Sequence, residues 1–195
     1  MNAPSAYKWR TVDILVAAVL AVAFGVVFQL ANGLWDVLGK VFVFFPPALA
    51  VIYGLWLVPA VLASLIIRKA GAGLFTETVA AAVSVLMGSP YGAMGIAQGA
   101  FEGLGAEVVF AAGAWRRYGA LMALASGALG GAAATGWDVF VSYPMWTLAW
   151  KLSYIGCGAA SCAVIAGLGS VLLTKALAGT GVLDSFPSGR KRTTV

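Results

Sequence analysis

The chain contains no histidine and only seven acidic residues among 195, so the chemistry open to it is narrow. Three of the carboxylates, Glu77, Glu102 and Glu107, fall inside long apolar runs. A charge in such a run must be offset by a partner, a proton or a ligand, which makes each a candidate functional group. Gln98 precedes Glu102 by one helical turn on the same face. An amide and a carboxylate so placed can pair edge-on with a polar ring. Glu77 sits at a similar depth in the preceding run and reads equally as a ligand contact or a structural partner. Glu107 is turned about 140° from Glu102 and lies toward Arg116 and Arg117, where a structural ion pair is expected.

Catalysis has little else to draw on. No serine, cysteine or lysine has an activating base beside it, and metal-ligand spacing is lacking, so neither an enzyme nor a metal site is expected. Cys157 and Cys162 point about 140° apart on a helix, which suits packing rather than a disulfide. The phosphate-loop pattern G-x-x-x-x-G-K-[ST] is missing, so ATP is not handled by this chain, and no cofactor is implied.

The elements that must position these groups are membrane helices. Hydrophobic residues make up 62% of the chain and charged ones 10%, which excludes an ordinary soluble domain. The reading is an all-α membrane protein, a bundle of six transmembrane helices in one integral domain over 1–195. Expected spans lie at about 11–31, 46–67, 73–87, 91–113, 118–137 and 146–177, with a basic, flexible tail at 181–195. Thr11 is expected to cap the first span, Pro46-Pro47 to start the second and Pro59 to kink it. An N-in/C-in arrangement puts Lys8, Arg10, Arg68, Lys69, Arg116, Arg117, Lys175, Arg190, Lys191 and Arg192 on the cytoplasmic side. Only Lys40 and Lys151 then fall outside. The net charge of +5 is thus explained by topology and anionic lipid, without nucleic acid.

With that orientation Glu102 and Gln98 open toward the outer side, Glu102 roughly 16 Å below the end of its helix. Aromatics gather there: Trp35, Trp137, Tyr143, Trp146 and Trp150, with Phe28 and Gln29 at the outer end of the first helix. Most fit an interfacial belt. Trp35 and Trp137 are the candidates for pocket walls, and Asp36 and Asp138, in the outer loops, for its mouth. Gly95, Gly99 and Gly103, and again Gly127 and Gly131, form small-xxx-small ladders that let helices approach closely. Ala17, Ala21 and Gly25 leave one flat face on the first helix, either packed inside the bundle or free as a docking surface for another membrane subunit.

These features resemble the substrate-binding S components of energy-coupling factor (ECF) transporters. Within that group, "AGAGLFTETVAAAVSVLMGSPYG", "AQGAFEGLGAEVVFA" and "RRYG" are similar to the YkoE type, associated with thiamine and its hydroxymethylpyrimidine precursor. The resemblance implies a vitamin bound from outside at the plasma membrane of a prokaryote. It further implies transport powered by a separate transmembrane T component and two ATP-binding subunits. Glu102 and Gln98 would read the pyrimidine, Trp35 and Trp137 would stack on it, and Glu77 would add a polar contact. The competing class is an autonomous proton-coupled carrier of a small organic cation, using Glu77 or Glu102. The absence of an evident internal repeat weighs against it.

Overall fold

The computed structural model describes residues 7–189, and all regular structure among them is helical. The first helix, α1, runs Thr11–Val41. Arg10 rather than Thr11 takes the N-cap: the buried Asp13 carboxylate accepts from the Arg10 backbone N–H at 2.8 Å and its guanidinium at 2.7 Å. α1 also runs ten residues past its expected end. Asn32-Gly33 reads as a stop in sequence, but Asn32 is buried and bonded. Its amide donates to Gln29 Oε1 and Ser89 Oγ and accepts from Trp56 Nε1, each at 3.2 Å. Tertiary partners therefore carry the polar residue through the helix. Trp35 and Asp36 accordingly sit on α1, not in a loop.

A 3-10 turn at Pro46–Ile52 starts with proline at its first position, where the missing N–H costs nothing. It leads into α2, Gly54–Ile67. All residues from Leu57 to Ile67 are buried, as an all-round apolar helix should be, so α2 is the post around which the others stand. α3 is Ala72–Leu86, α4 Gly92–Ala112 and α5 Ala120–Val141. α6, Leu148–Cys162, passes through a π-helical stretch, Ala163–Leu168, into α7, Gly169–Gly179, as one continuous rod. Among the described residues, four helices are long and apolar enough to cross a membrane: Thr11–Val41, Pro46–Ile67, Ala120–Val141 and Leu148–Gly179. α3 has 15 residues, about 22 Å of rise. α4 is long enough, but its glycines, Gln98, Glu102 and Glu107 dilute its hydropathy.

Glycine sets the helix spacing. A Cβ on Gly99 would stand 2.6 Å from Ala81 Cβ, and one on Gly103 2.9 Å from Glu77 Cβ, so α4 lies flush on α3. On α5, Gly131 is equally close to Cys162 of α6. The small-residue face of α1 is used the same way. Ala17 and Ala21 are fully buried, and a Cβ on Gly25 would collide with Val83 of α3. The docking alternative for these three residues is therefore corrected: the bundle itself occupies that face. What α1 exposes is the opposite side, with Leu15, Val19, Val22 and Leu30.

The expected flexible tail is also corrected over 181–189. Leu183 and Phe186 are buried, Arg10 lies over the Phe186 ring at 5.3 Å, and Ser188 Oγ donates to Ile66 O at 3.1 Å. Two apolar side chains three residues apart are enough to fix a turn against the core. Residues 190–195, with Arg190, Lys191 and Arg192, lie outside the described residues.

Candidate functional site

Pro59 shapes the site from within α2. It sits inside the continuous helix, where a proline lacks the backbone N–H that an i→i−4 bond would use. The next amide, Ala60 N–H, donates to Glu77 Oε2 at 3.0 Å. Glu77 is thus anchored by one oxygen, while Oε1 is buried with no hydrogen-bond partner. Across the flush α3–α4 seam stands Glu102, 4% exposed. Both line a cavity of about 100 Å³, well above the space one water needs.

The cavity is walled by the end of α1, Tyr53 with the start of α2, and α3, α4 and α5. Phe28, Asn32 and Trp35 of α1 line it at spacings of four and three, hence on one helical face. Trp35 meets Tyr53 and Trp56 edge-on, with centroids 5.9 and 5.7 Å apart. Behind this wall, Gln29 accepts from Ser84 Oγ and Asn32 and so serves the lining residues without lining the cavity.

Asp138 is the organiser on the other side. It was expected in an outer loop, but α5 continues through it and it is 7% exposed. Its Oδ2 accepts from Tyr53 and Tyr154 hydroxyls at 2.8 Å each, and Oδ1 from Gln98 Nε2 at 3.0 Å. Gln98 Nε2 also donates to Tyr53 Oη. A buried carboxylate is tolerable when several donors converge on it, and here three residues do so. Glu102 lies next to this group, with Gln98 and Tyr53 facing it.

Six expected site residues therefore converge: Glu77, Gln98, Glu102, Asp138, Phe28 and Trp35. Two do not. Trp137 packs on Phe101 with centroids 5.6 Å apart, away from the cavity, because it is one residue and about 100° of helix from Asp138. Asp36 is exposed and outside the lining for the same reason beside Trp35. Glu107 is corrected in its partners. Its oxygens accept from Gly71 N–H at 2.9 Å, Gly73 N–H at 3.0 Å and Trp115 Nε1 at 2.6 Å, so it caps the start of α3 instead of pairing with Arg116 or Arg117. Negative charge at a helix N-terminus is favourable. Tyr53, Trp56, Asn32 and Ser84 were not singled out from sequence. The available signal was the register of Asn32 between Phe28 and Trp35, and the three-residue spacing of Tyr53 and Trp56.

The lining holds three carboxylates and neither lysine nor arginine. Such a surface complements a small ring with N–H donors or positive charge, stacked on aromatic edges. No three residues of His, Cys, Asp or Glu are placed to hold a metal ion among the described residues.

Comparisons with known proteins all find membrane transport components. Residues 12–133 match the family described as "ABC-type cobalt transport system, permease component". A Bacillus subtilis (strain 168) protein, YkoE, named as an HMP/thiamine permease, is 35% identical over 185 residues, covering 94% of this chain and 92% of that one. A crystal structure of an S-component of an ECF transporter superposes with a TM-score of 0.89 at 36% identity, covering 93% of this chain and 92% of the other.

Proposed function

Because the chain belongs to the family of ABC-type cobalt transport system permease components, and is an S component of an ECF transporter, we propose that its cavity binds thiamine and/or its hydroxymethylpyrimidine precursor. It is a transport subunit and not an enzyme. The observation that carries the ligand reading is the unpartnered Glu77 Oε1 beside Glu102, in a cavity edged by Trp35, Tyr53 and Trp56. The amino group of a 4-aminopyrimidine supplies the donor that Glu77 lacks, and the ring meets an aromatic edge. The thiazolium of intact thiamine adds a cation, which a lining of carboxylates and indoles favours. Gln98, its amide nitrogen committed to Tyr53 and Asp138, acts in this reading by holding those two in place. The cobalt of the family's description has no counterpart here, since the chain lacks histidine and the described carboxylates form no ligand set.

The ligand enters from the outer side of a prokaryotic plasma membrane, and the chain hands it to a T component driven by two ATP-binding subunits. The positive-inside distribution supports that orientation. Membership of the family weighs against the autonomous proton-coupled carrier. Titrating the purified chain with thiamine and with hydroxymethylpyrimidine, read by tryptophan fluorescence, tests the ligand. Trp35 and Trp56 line the cavity, so binding must alter their emission. No binding of either compound at micromolar concentration would overturn the assignment.

A further inference from the structure

A second cavity lies at the opposite end of α2 from the first, with a volume of about 540 Å³. Leu65 closes it from α2 and Arg68 from just past its end, Tyr118 from the approach to α5, Val171 and Lys175 from α7, and Ser188 from the C-terminal turn. None of its lining residues is acidic. Two of its polar groups lack a counterpart. Arg68 is half-buried and held over the Tyr118 ring at 5.2 Å, with Nε donating to Leu65 O at 3.2 Å. No carboxylate among the described residues pairs with its guanidinium, and burial draws its pKa below the ordinary arginine value. The Tyr118 hydroxyl is buried without a hydrogen-bond partner.

A partly buried cation without an anion and a phenol without an acceptor are both completed by an oxyanion. The position says which kind. Arg68 directly follows the last residue of α2, at the cation-rich end of the bundle, where a bilayer places its phosphates. Beyond Lys175 and Val171, the outer face of α7 exposes Leu172 and Leu173, an apolar surface suited to acyl chains. The sequence continues from Gly189, itself part of the lining, into Arg190, Lys191 and Arg192. We propose that this cleft binds the phosphate of an anionic phospholipid, with Arg68 and Lys175 as the cations and the Tyr118 hydroxyl as a donor.

The test is retention of lipid by the purified full chain, measured by native mass spectrometry after incubation in mixed micelles. Micelles carry dioleoyl phosphatidylglycerol in one arm and dioleoyl phosphatidylcholine in the other. The chain is expected to keep one phosphatidylglycerol under conditions that strip phosphatidylcholine. Arg68→Gln is expected to weaken retention about tenfold, the loss of a charge-assisted hydrogen bond. Lys175→Gln is expected to act in the same direction and serves if Arg68→Gln fails to fold. Arg116→Gln, exposed and outside the cleft, is expected to change nothing. Equal retention of the two lipids, or retention indifferent to both cleft substitutions, overturns the proposal. Displacement of the lipid by millimolar inorganic phosphate would identify a site for soluble anions and equally overturn it.

Discussion

Glu77→Gln separates a ligand-binding carboxylate from a structural one, because the two roles predict opposite effects on the empty protein. The native side chain spends Oε2 on Ala60 N–H and leaves Oε1 buried and unsatisfied. Such an unmet acceptor costs about 1–3 kcal/mol, more if charged. Glutamine is isosteric. Its carbonyl can keep the Ala60 bond while an amide, neutral but equally without a partner, fills the Oε1 position, so the empty protein should be about as stable as wild type. The ligand meets the reverse. A ring amino group that donates to Oε1 would face an NH2, losing a charge-assisted bond of about 1.5–3 kcal/mol, or about 10- to 150-fold in affinity. Both quantities come from one preparation: thermal unfolding without ligand, then fluorescence titration with thiamine and hydroxymethylpyrimidine. Affinity within about threefold of wild type would remove Glu77 from the site. A marked loss of stability in the empty protein would show that Oε1 is satisfied after all, and the reasoning would fail at its first step.

Two further substitutions test the scaffold. Glu107→Gln weakens the cap on Gly71, Gly73 and Trp115 and should cost about 1–3 kcal/mol in unfolding, with ligand affinity of the folded fraction unchanged. Gly131→Ala would drive a methyl to 2.6 Å from Cys162 Cβ and should lower stability by about 1–3 kcal/mol. Gly136→Ala on the same helix meets nothing within 4 Å and should be neutral or slightly stabilising. Equal thermal shifts for the two would refute glycine-set spacing of α5 on α6.

What the sequence made legible is what helical phase encodes. Gln98 and Glu102 share a face because they are four apart, and Glu107 leaves it because it is five further on; the structure places all three accordingly. Phase also needs a correct helix end, and there the reading failed. Ending the first span at 31 put Trp35 and Asp36 in a loop, where either could turn to a pocket. On the continued helix only Trp35 can. Asp138 was hidden for a different reason. Its three partners lie 85, 40 and 16 residues away, and no local pattern announces a convergence of that kind. Glu107 misled through proximity. Arg116 and Arg117 are visible as letters, whereas the backbone amides of Gly71 and Gly73 that hold it carry no side-chain signature. The small face of α1 was correctly seen, but spacing alone cannot tell whether a sister helix or another subunit fills it.

The π-helical stretch between α6 and α7 gives the last span a clock with two settings. Ser161, just before it, receives Gly54 N–H at 3.1 Å and donates to Val51 O at 2.6 Å, fixing the upper half against the turn that carries Tyr53. A π turn holds one residue more than the α-helical path, so α7 is rotated by about 100° from where an unbroken helix would place it. In an alignment of relatives, a one-residue gap within 163–168 would therefore mean a turned lower half and not a broken rod. It would swing Thr174 and Lys175 around the axis and re-aim the lower cleft, while α6 and the upper cavity stayed as they are. The two ends of this subunit can thus diverge separately, one tuned by substitution and the other by a single inserted or deleted residue.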